Sequence, residues 1–452
     1  MTSDARAIPL EAEVAADTIA VEPTTLSSDT RWRILAYLSV LILLLGFGSP
    51  SGGLIDVPIS FFLKNKLHLA AHQVAAFRLV AGIPLYLSFV FGLTRDTWSP
   101  FGMRDRGYMV LFGAITAALF VIFAFAPFNE GSLLLAVIVL TASFLFVSSA
   151  QNGLMAQVGQ QHVMSGQVST VVNVVVSLPT LGALALGGVL SDALEGRNGP
   201  AAGRILFLTG AAIMAAVALF GLLRPKSVYD NVHVETRPVG NPFAILARDV
   251  VRLFSYWPVY PALLIWALWQ FAPGAQTPLQ FYLQNTLHSS DAEWGWWNAI
   301  FVGSFIPTFL LYGWLSQRYP LRPLLWWGAV VAVPQMVPLL FIHNAVGALV
   351  AAVPIGLMGG VCSAAYTDLL IRSCPRGLQG TVLMASVALY WIMSRFGDVL
   401  GTALYDRFKN FTVCVIAITA VYASILLVLL IVPKRLTRTA DGEAPEGGFA
   451  TQ

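Results

Sequence analysis

Twelve apolar runs, separated by polar turns, follow one another along this chain, at roughly 33–63, 71–93, 107–126, 133–157, 167–190 and 204–223, then 259–286, 294–317, 324–342, 345–371, 381–404 and 411–433. A helix needs about 20 consecutive apolar residues to cross the hydrocarbon core of a bilayer, and these runs supply them. They are continuous rather than alternating, so they do not fit membrane β-strands. The pattern predicts an all-α membrane protein of twelve transmembrane helices. A long polar stretch divides the spans six and six. The organisation expected is a disordered tail (1–31), a six-helix bundle (32–223), a linker (224–258), a second six-helix bundle (259–433) and a second tail (434–452), of which 436–452 reads as disordered. Within the linker, Pro242 to Phe254 has the spacing of an amphipathic helix lying on the membrane surface.

The halves repeat each other. Pro58, Phe61, Leu63, Asn65, Leu67 and His68 match Pro278, Phe281, Leu283, Asn285, Leu287 and His288 at an offset of 220, and Gly166, Gly187, Leu190 and Asp192 match Gly380, Gly401, Leu404 and Asp406 at 214. Both halves start from the same side, so the repeat is parallel, with its axis along the membrane normal. That arrangement puts two pseudo-symmetric bundles around a site near the midplane.

Charge then orients the chain. Of 26 Lys and Arg, 18 fall in the loops and tails on the side of the termini and 6 on the opposite side. The basic-inside rule therefore predicts cytoplasmic termini in a cell (inner) membrane. Composition agrees: 57% of residues are hydrophobic and 11% charged, against roughly 25% charged in soluble proteins. The net charge of +3 does not imply nucleic acid. Cys362, Cys374 and Cys414 lack metal-ligand spacing and read as free thiols. No phosphate-binding glycine loop suggests ATP drive. No enzyme signature and no cofactor is expected, and a monomer in the lipid bilayer is.

An ionisable residue inside a span is costly unless paired or wet, so each such residue is a candidate. Asp56 in span one and Arg78 in span two lie at similar depth, roughly 10 Å below the surface opposite the termini. They read either as a proton-coupling or gating pair, or as a structural clamp. Arg395 and Asp398 lie three apart on one face of span eleven. Arg395 suits a carboxylate or phosphate through its planar fork; alternatively the two satisfy each other. Gln270 and Gln276 flank Pro273-Gly274, a helix break of the kind tolerated where it lines a cavity. Trp269 and Phe281 are candidates to stack on a flat ring, and Asn152 and Asn173 to bind substrate or to join helices. Asp368, four before Arg372, reads as structural.

The turn after span two runs Gly92-Leu-Thr-Arg-Asp96-Thr-Trp-Ser-Pro100-Phe-Gly102-Met-Arg104-Asp-Arg106-Gly-Tyr108. It resembles the loop between the second and third helices of the major facilitator superfamily, and in its longer form that of the folate–biopterin transporter family. The resemblance extends to Phe61-Phe62-Leu63-Lys-Asn-Lys-Leu67, to Tyr282-Leu-Gln-Asn285-Thr-Leu287 with Trp294-Gly295-Trp296, and to Cys374-Pro375-Arg-Gly377-Leu-Gln-Gly380-Thr381. It implies the major facilitator fold, with Gly92, Asp96, Arg104 and Arg106 forming a conformational-switch loop. It implies a secondary active transporter of a folate- or pterin-like organic anion, working by alternating access; proton symport with Asp56 as the carrier is a separate hypothesis. One departure stands out: the family often carries an acid in span four, where this chain has Gln151-Asn152-Gly153. The rival expectations are an exporter or permease of another solute (a peptidoglycan fragment or acyl-coenzyme ester) and a non-transporting membrane-complex assembly factor.

Overall fold

The computed structural model describes residues 26–443 apart from 70, 128, 196–197 and 231–241. Among the described residues there is no β-strand. The fold is all-α, with its spans in two bundles. Among the described residues, ten helices are individually long and apolar enough to cross a bilayer: Ser28–Gly48, Asp105–Ala124, Glu130–Gln161, Ser165–Ala183, Pro200–Leu222, Glu293–Leu315, Leu321–Phe341, Ala345–Ser373, Gln379–Phe408 and Phe411–Leu429. These are spans one, three to six and eight to twelve.

Spans two and seven complete the set in pieces. Span two is Ala71–Ala81, Ile83–Tyr86 and Ser88–Thr97, stepped at Gly82 and Pro84. Span seven is Val259–Gln270, then Thr277–Phe281, then the wider turn Tyr282–Thr286. Its break sits at Pro273-Gly274. Gly274 has φ +106°, and a Cβ there would meet Cys414 Cβ at 2.5 Å, so both conformation and space require glycine. Span one breaks in the same place: after Gly48 the chain turns through Gly52 and restarts as Asp56–Phe61, followed by the wider turn Phe62–Lys66.

The repeat read from the sequence is a repeat of backbone geometry. The two wide turns lie at the offset of 220. So do His68 and His288, which hold φ of 54° and 55°. At the offset of 214, Val163 (φ 51°) and Gly377 (φ 77°) make the same left-handed turn before spans five and eleven. Each half has its own apolar core. Leu38, Phe120, Leu154 and Met214 are buried in the first, and Ile265, Leu325, Ile355 and Ile418 in the second.

The ends differ from expectation. Span one starts earlier, at Ser28, because the Ser27 side chain caps it by accepting from the Thr30 N–H. The rest of the 1–31 tail lies outside the described residues, as does 231–241 of the linker. Pro242–Ser255 is a helix, with Val251 and Phe254 exposed. The C-terminal segment was expected to be disordered, yet Lys434–Thr437 is a helical turn and Leu436, Thr437 and Asp441 are buried. Its polar composition concealed a docking site made by residues far away in the chain.

Candidate functional site

A cavity of about 410 Å³ lies between the halves, walled by spans one, two and four on one side and span eleven on the other. Ser51, Asp56, Phe77, Arg78, Tyr86, Trp391 and Arg395 line it. Asp56 opens the restarted segment of span one, because the break at Gly52 turns the chain back into helix there. Arg78 donates to its carboxylate through Nη1 and to its backbone carbonyl through Nη2 at 3.2 Å. The pair is partly accessible, with side chains 29% and 23% exposed for Arg78 and Asp56. Arg395 stands in the same cavity. Among the described residues its side chain makes no hydrogen bond or ion pair.

Asp398 does not pair with Arg395, contrary to their spacing. Its two oxygens accept from the Thr277 N–H and hydroxyl, both at 2.9 Å. It thereby caps the restarted half of span seven, where helix N–H groups lack internal partners. Gln276, just before that cap, donates to the Ser394 hydroxyl at 2.6 Å. Trp269 is not in the cavity either. It is 8% exposed and packs in the second core, stacked on Tyr422 with centroids 4.8 Å apart. Phe281 is exposed but is not part of the cavity wall, and Gln270 ends the first half of span seven outside it. Trp391 and Tyr86 supply the aromatic surface instead. Sequence reasoning passed them over because a helix face can be assigned only once the neighbouring helix is known.

The two asparagines join the halves. Asn152 of span four donates to the Ser148 carbonyl at 2.9 Å and lies 3.5 Å from Met384 Sδ of span eleven. Asn173 of span five donates to the Ser169 carbonyl at 2.8 Å and to Thr367 of span ten at 3.3 Å. Neither lines the cavity. In span four, a Cβ on Gly153 would run into the Arg95 guanidinium. The missing side chain makes room for that cation.

On the side of the termini, the turn after span two reaches across to the other half. Asp96, 1% exposed, accepts from the N–H groups of Gly380 (3.3 Å) and Thr381 (2.6 Å) and from the Thr381 hydroxyl (2.7 Å). A carboxylate thus sits on the N-terminus of span eleven, where the helix dipole and unpaired donors favour it. Gly92 lets the helices meet: a Cβ there would lie 2.5 Å from the Gly380 oxygen. The cation beside Asp96 is Arg95, missed in the sequence although adjacent. It donates to Asp96 at 2.8 Å and to Asp105 at 2.6 Å. Arg106 points elsewhere, donating to the carbonyls of Gly221, Leu222 and Leu223 at the end of span six. Arg104 marks a backbone bend, with φ 49° and its N–H donated to Ser99.

Two bundles joined by a repeat, latched at one face and enclosing a charged cavity, are the architecture of a membrane carrier. The chain belongs to the Major Facilitator Superfamily, whose family model matches residues 165–397, just over half of it. It is a transporter of a small molecule, as that family and its relatives are, and not an enzyme. The folate-biopterin transporter of Synechocystis is 24% identical over 401 residues, covering 82% of this chain and 75% of that protein. Folate transporter 2 of Plasmodium falciparum is 30% identical over 110 residues, 24% of each chain. Solved structures share the fold. The fucose:proton symporter of E. coli aligns with a TM-score of 0.65 at 16% identity, covering 88% of this chain and 98% of that one. A proton:xylose symporter aligns with a TM-score of 0.66 at 13% identity, covering 92% and 99%.

Proposed function

We propose that this transporter carries a folate- or pterin-like organic anion by alternating access, with its termini in the cytoplasm of a cell membrane. The observation that carries the reading is Arg395, a guanidinium in the cavity wall whose side chain makes no hydrogen bond or ion pair among the described residues. Its donors form a planar fork that matches a carboxylate, and they are costly to leave unmet. Trp391 and Tyr86 offer faces for a flat ring in the same cavity. The volume falls in the roughly 300–1,000 Å³ range of small-molecule sites. An open charged cavity favours transport over an assembly role. The ligand class is borrowed from the folate-biopterin relative, and the orientation from the excess of Lys and Arg on the side of the termini. Asp56 is the proton carrier in this reading, standing in the cavity wall with Arg78 as its ion-pair partner.

The test is thermal unfolding of purified protein and of Arg395→Ala with folates and pterins. A ligand that binds the folded state raises Tm in proportion to occupancy. Loss of one charge-assisted contact, about 1.5–3 kcal/mol, weakens binding roughly 10- to 150-fold, so the variant requires correspondingly more ligand for the same shift. No shift with any folate or pterin, or equal shifts in both proteins, removes the substrate assignment. Uptake into proteoliposomes that ignores a collapsed pH gradient removes the proton.

A further inference from the structure

The repeat pairs Gly166, at the start of span five, with Gly380, at the start of span eleven. Span eleven receives Asp96 from the turn after span two. By symmetry, span five should receive a carboxylate from the turn after span eight. That turn reads Ser316-Gln-Arg-Tyr-Pro-Leu-Arg322 and contains no acid. The carboxylate is present all the same, and it comes from the C-terminal segment. Asp441 accepts from the Gly166 N–H at 3.1 Å and the Gln167 N–H at 2.9 Å.

We propose that the docked segment Lys434–Glu443 is a second latch of the gate on the side of the termini, with Asp441 holding span five as Asp96 holds span eleven. The attachments of the segment span the gate. The Asp441 N–H donates to the Ser316 carbonyl at 2.9 Å, at the end of span eight in the second half. The Gly442 N–H donates to the Val163 carbonyl at 2.8 Å, before span five in the first half. The chemistry also repeats. As Arg95 joins Asp96 to Asp105, so Arg372 of span ten joins Asp441 (3.1 Å) to Asp368 (2.8 Å). Arg372 is 1% exposed, and it donates further to the Thr439 carbonyl at 2.8 Å and the Ser165 hydroxyl at 2.9 Å. Undocking the segment would strip this buried cation of two of its four partners.

A latch on a segment that follows the last span can leave without unfolding a span, unlike one made from a loop between two spans. When the halves part at this face, Ser316 and Val163 separate and the segment loses the seat they share. The proposal rests on the alternating-access reading but not on the identity of the substrate. Burial and the neighbouring Asp368 push Asp441 up to about 6, against the opposing pull of Arg372 and the two N–H groups. Docking is therefore accompanied by proton uptake between pH 3.8 and about 6. The ionisable groups around Asp441 are Asp368 and Arg372 from span ten, Tyr312 from span eight (a donor to Asp368 at 2.6 Å), and Glu443 of the segment itself.

The test uses the full chain in lipid nanodiscs, with spin labels at Lys226→Cys and Arg322→Cys, two exposed positions on opposite halves. The native cysteines are buried. Pulsed electron resonance then reads the opening of the gate. Asp96→Ala and Asp441→Ala should each raise the open-to-closed ratio tenfold or more, and Asp441→Asn by less. In hydrogen exchange, Asp441→Ala should expose the Gly166 and Gln167 amides and leave Gly380 and Thr381 protected. Should Asp441→Ala fold poorly, Asp441→Asn and a chain ending at Arg438 carry the test. Wild-type distances in the Asp441 variants and the shortened chain, beside a shift in Asp96→Ala, would overturn the proposal. A failed transport reading shows separately, as absent uptake by a wild-type chain whose gate still populates both distances.

Discussion

Gly92→Ala is a small change with a large calculated effect on which way the transporter faces. The added Cβ would stand 2.5 Å from the Gly380 oxygen and 2.8 Å from its carbonyl carbon and from Thr381 Cα. All three are backbone atoms at the tip of a helix, so none can rotate away. Restoring ordinary contact at 3.4 Å requires the helices to part by about 0.9 Å. That displacement stretches the bond from the Thr381 N–H to Asp96, now 2.6 Å, beyond useful length. Overpacking costs about 1–3 kcal/mol, and each charge-assisted bond lost costs about 1.5–3 kcal/mol. Partial relaxation of both leaves roughly 2–4 kcal/mol against the latched state, a change of roughly 30- to several-hundred-fold in the ratio of states. The gain in helix propensity from Gly to Ala is present in both states and cancels. The assay is the distance between labels at positions 226 and 322, with Gly303→Ala as control because a Cβ there meets nothing within 4 Å. Identical distance distributions in Gly92→Ala, the control and the wild type would refute the argument that this contact sets the balance.

Two further outcomes follow from the carboxylates. Asp398→Ala removes the acceptor for both Thr277 donors, a cap worth about 0.5–2 kcal/mol, and should speed hydrogen exchange across Thr277–Phe281 while Asp398→Asn retains part of the protection; unchanged exchange there would show that the restart of span seven holds without its cap. For Asp441 the docked value of about 6 lies above the ordinary carboxylate value of 3.8, so the docked state binds the proton more tightly; docking is favoured fully below pH 3.8 and loses that advantage as pH rises through about 6. Exchange protection of residues 439–443, corrected for intrinsic rates, should fall between pH 5 and 7 in the wild type and stay level in Asp441→Asn, and a flat wild-type profile would remove the titration.

The sequence made the twelve spans and the repeat readable because both are local patterns. Apolar run length sets a span, and a turn needing a left-handed residue recurs at a fixed offset, as His68 and His288 do. Asp56 and Arg78 could be matched because their depths follow from helix rise alone. Trp269 and Asp398 were misplaced for a common reason. The break at Gly274 reorients the chain, so periodicity across it no longer predicts which neighbour a side chain meets. Arg95 was overlooked beside Asp96 because the turn offered nearer-looking cations at Arg104 and Arg106, which serve other ends of the loop. Asp441 had no local signal at all: its partners are Gly166, Gln167 and Arg372, and a polar tail looks the same whether or not such a seat awaits it.

That seat makes the segment after span twelve an intramolecular ligand. The short tether from span twelve to Asp441 holds the carboxylate near its site at an effective concentration on the order of millimolar. Asp96 has no comparable freedom, being fixed within its own bundle. The two latches therefore differ in kind: one is geometry, and the other is a binding equilibrium with an occupancy. A free peptide of the same sequence, offered to a chain ending at Arg438, would have to exceed millimolar concentration to restore what the tether provides. Any partner that holds the tail away from the protein would act on the gate as a competitive inhibitor acts on a site.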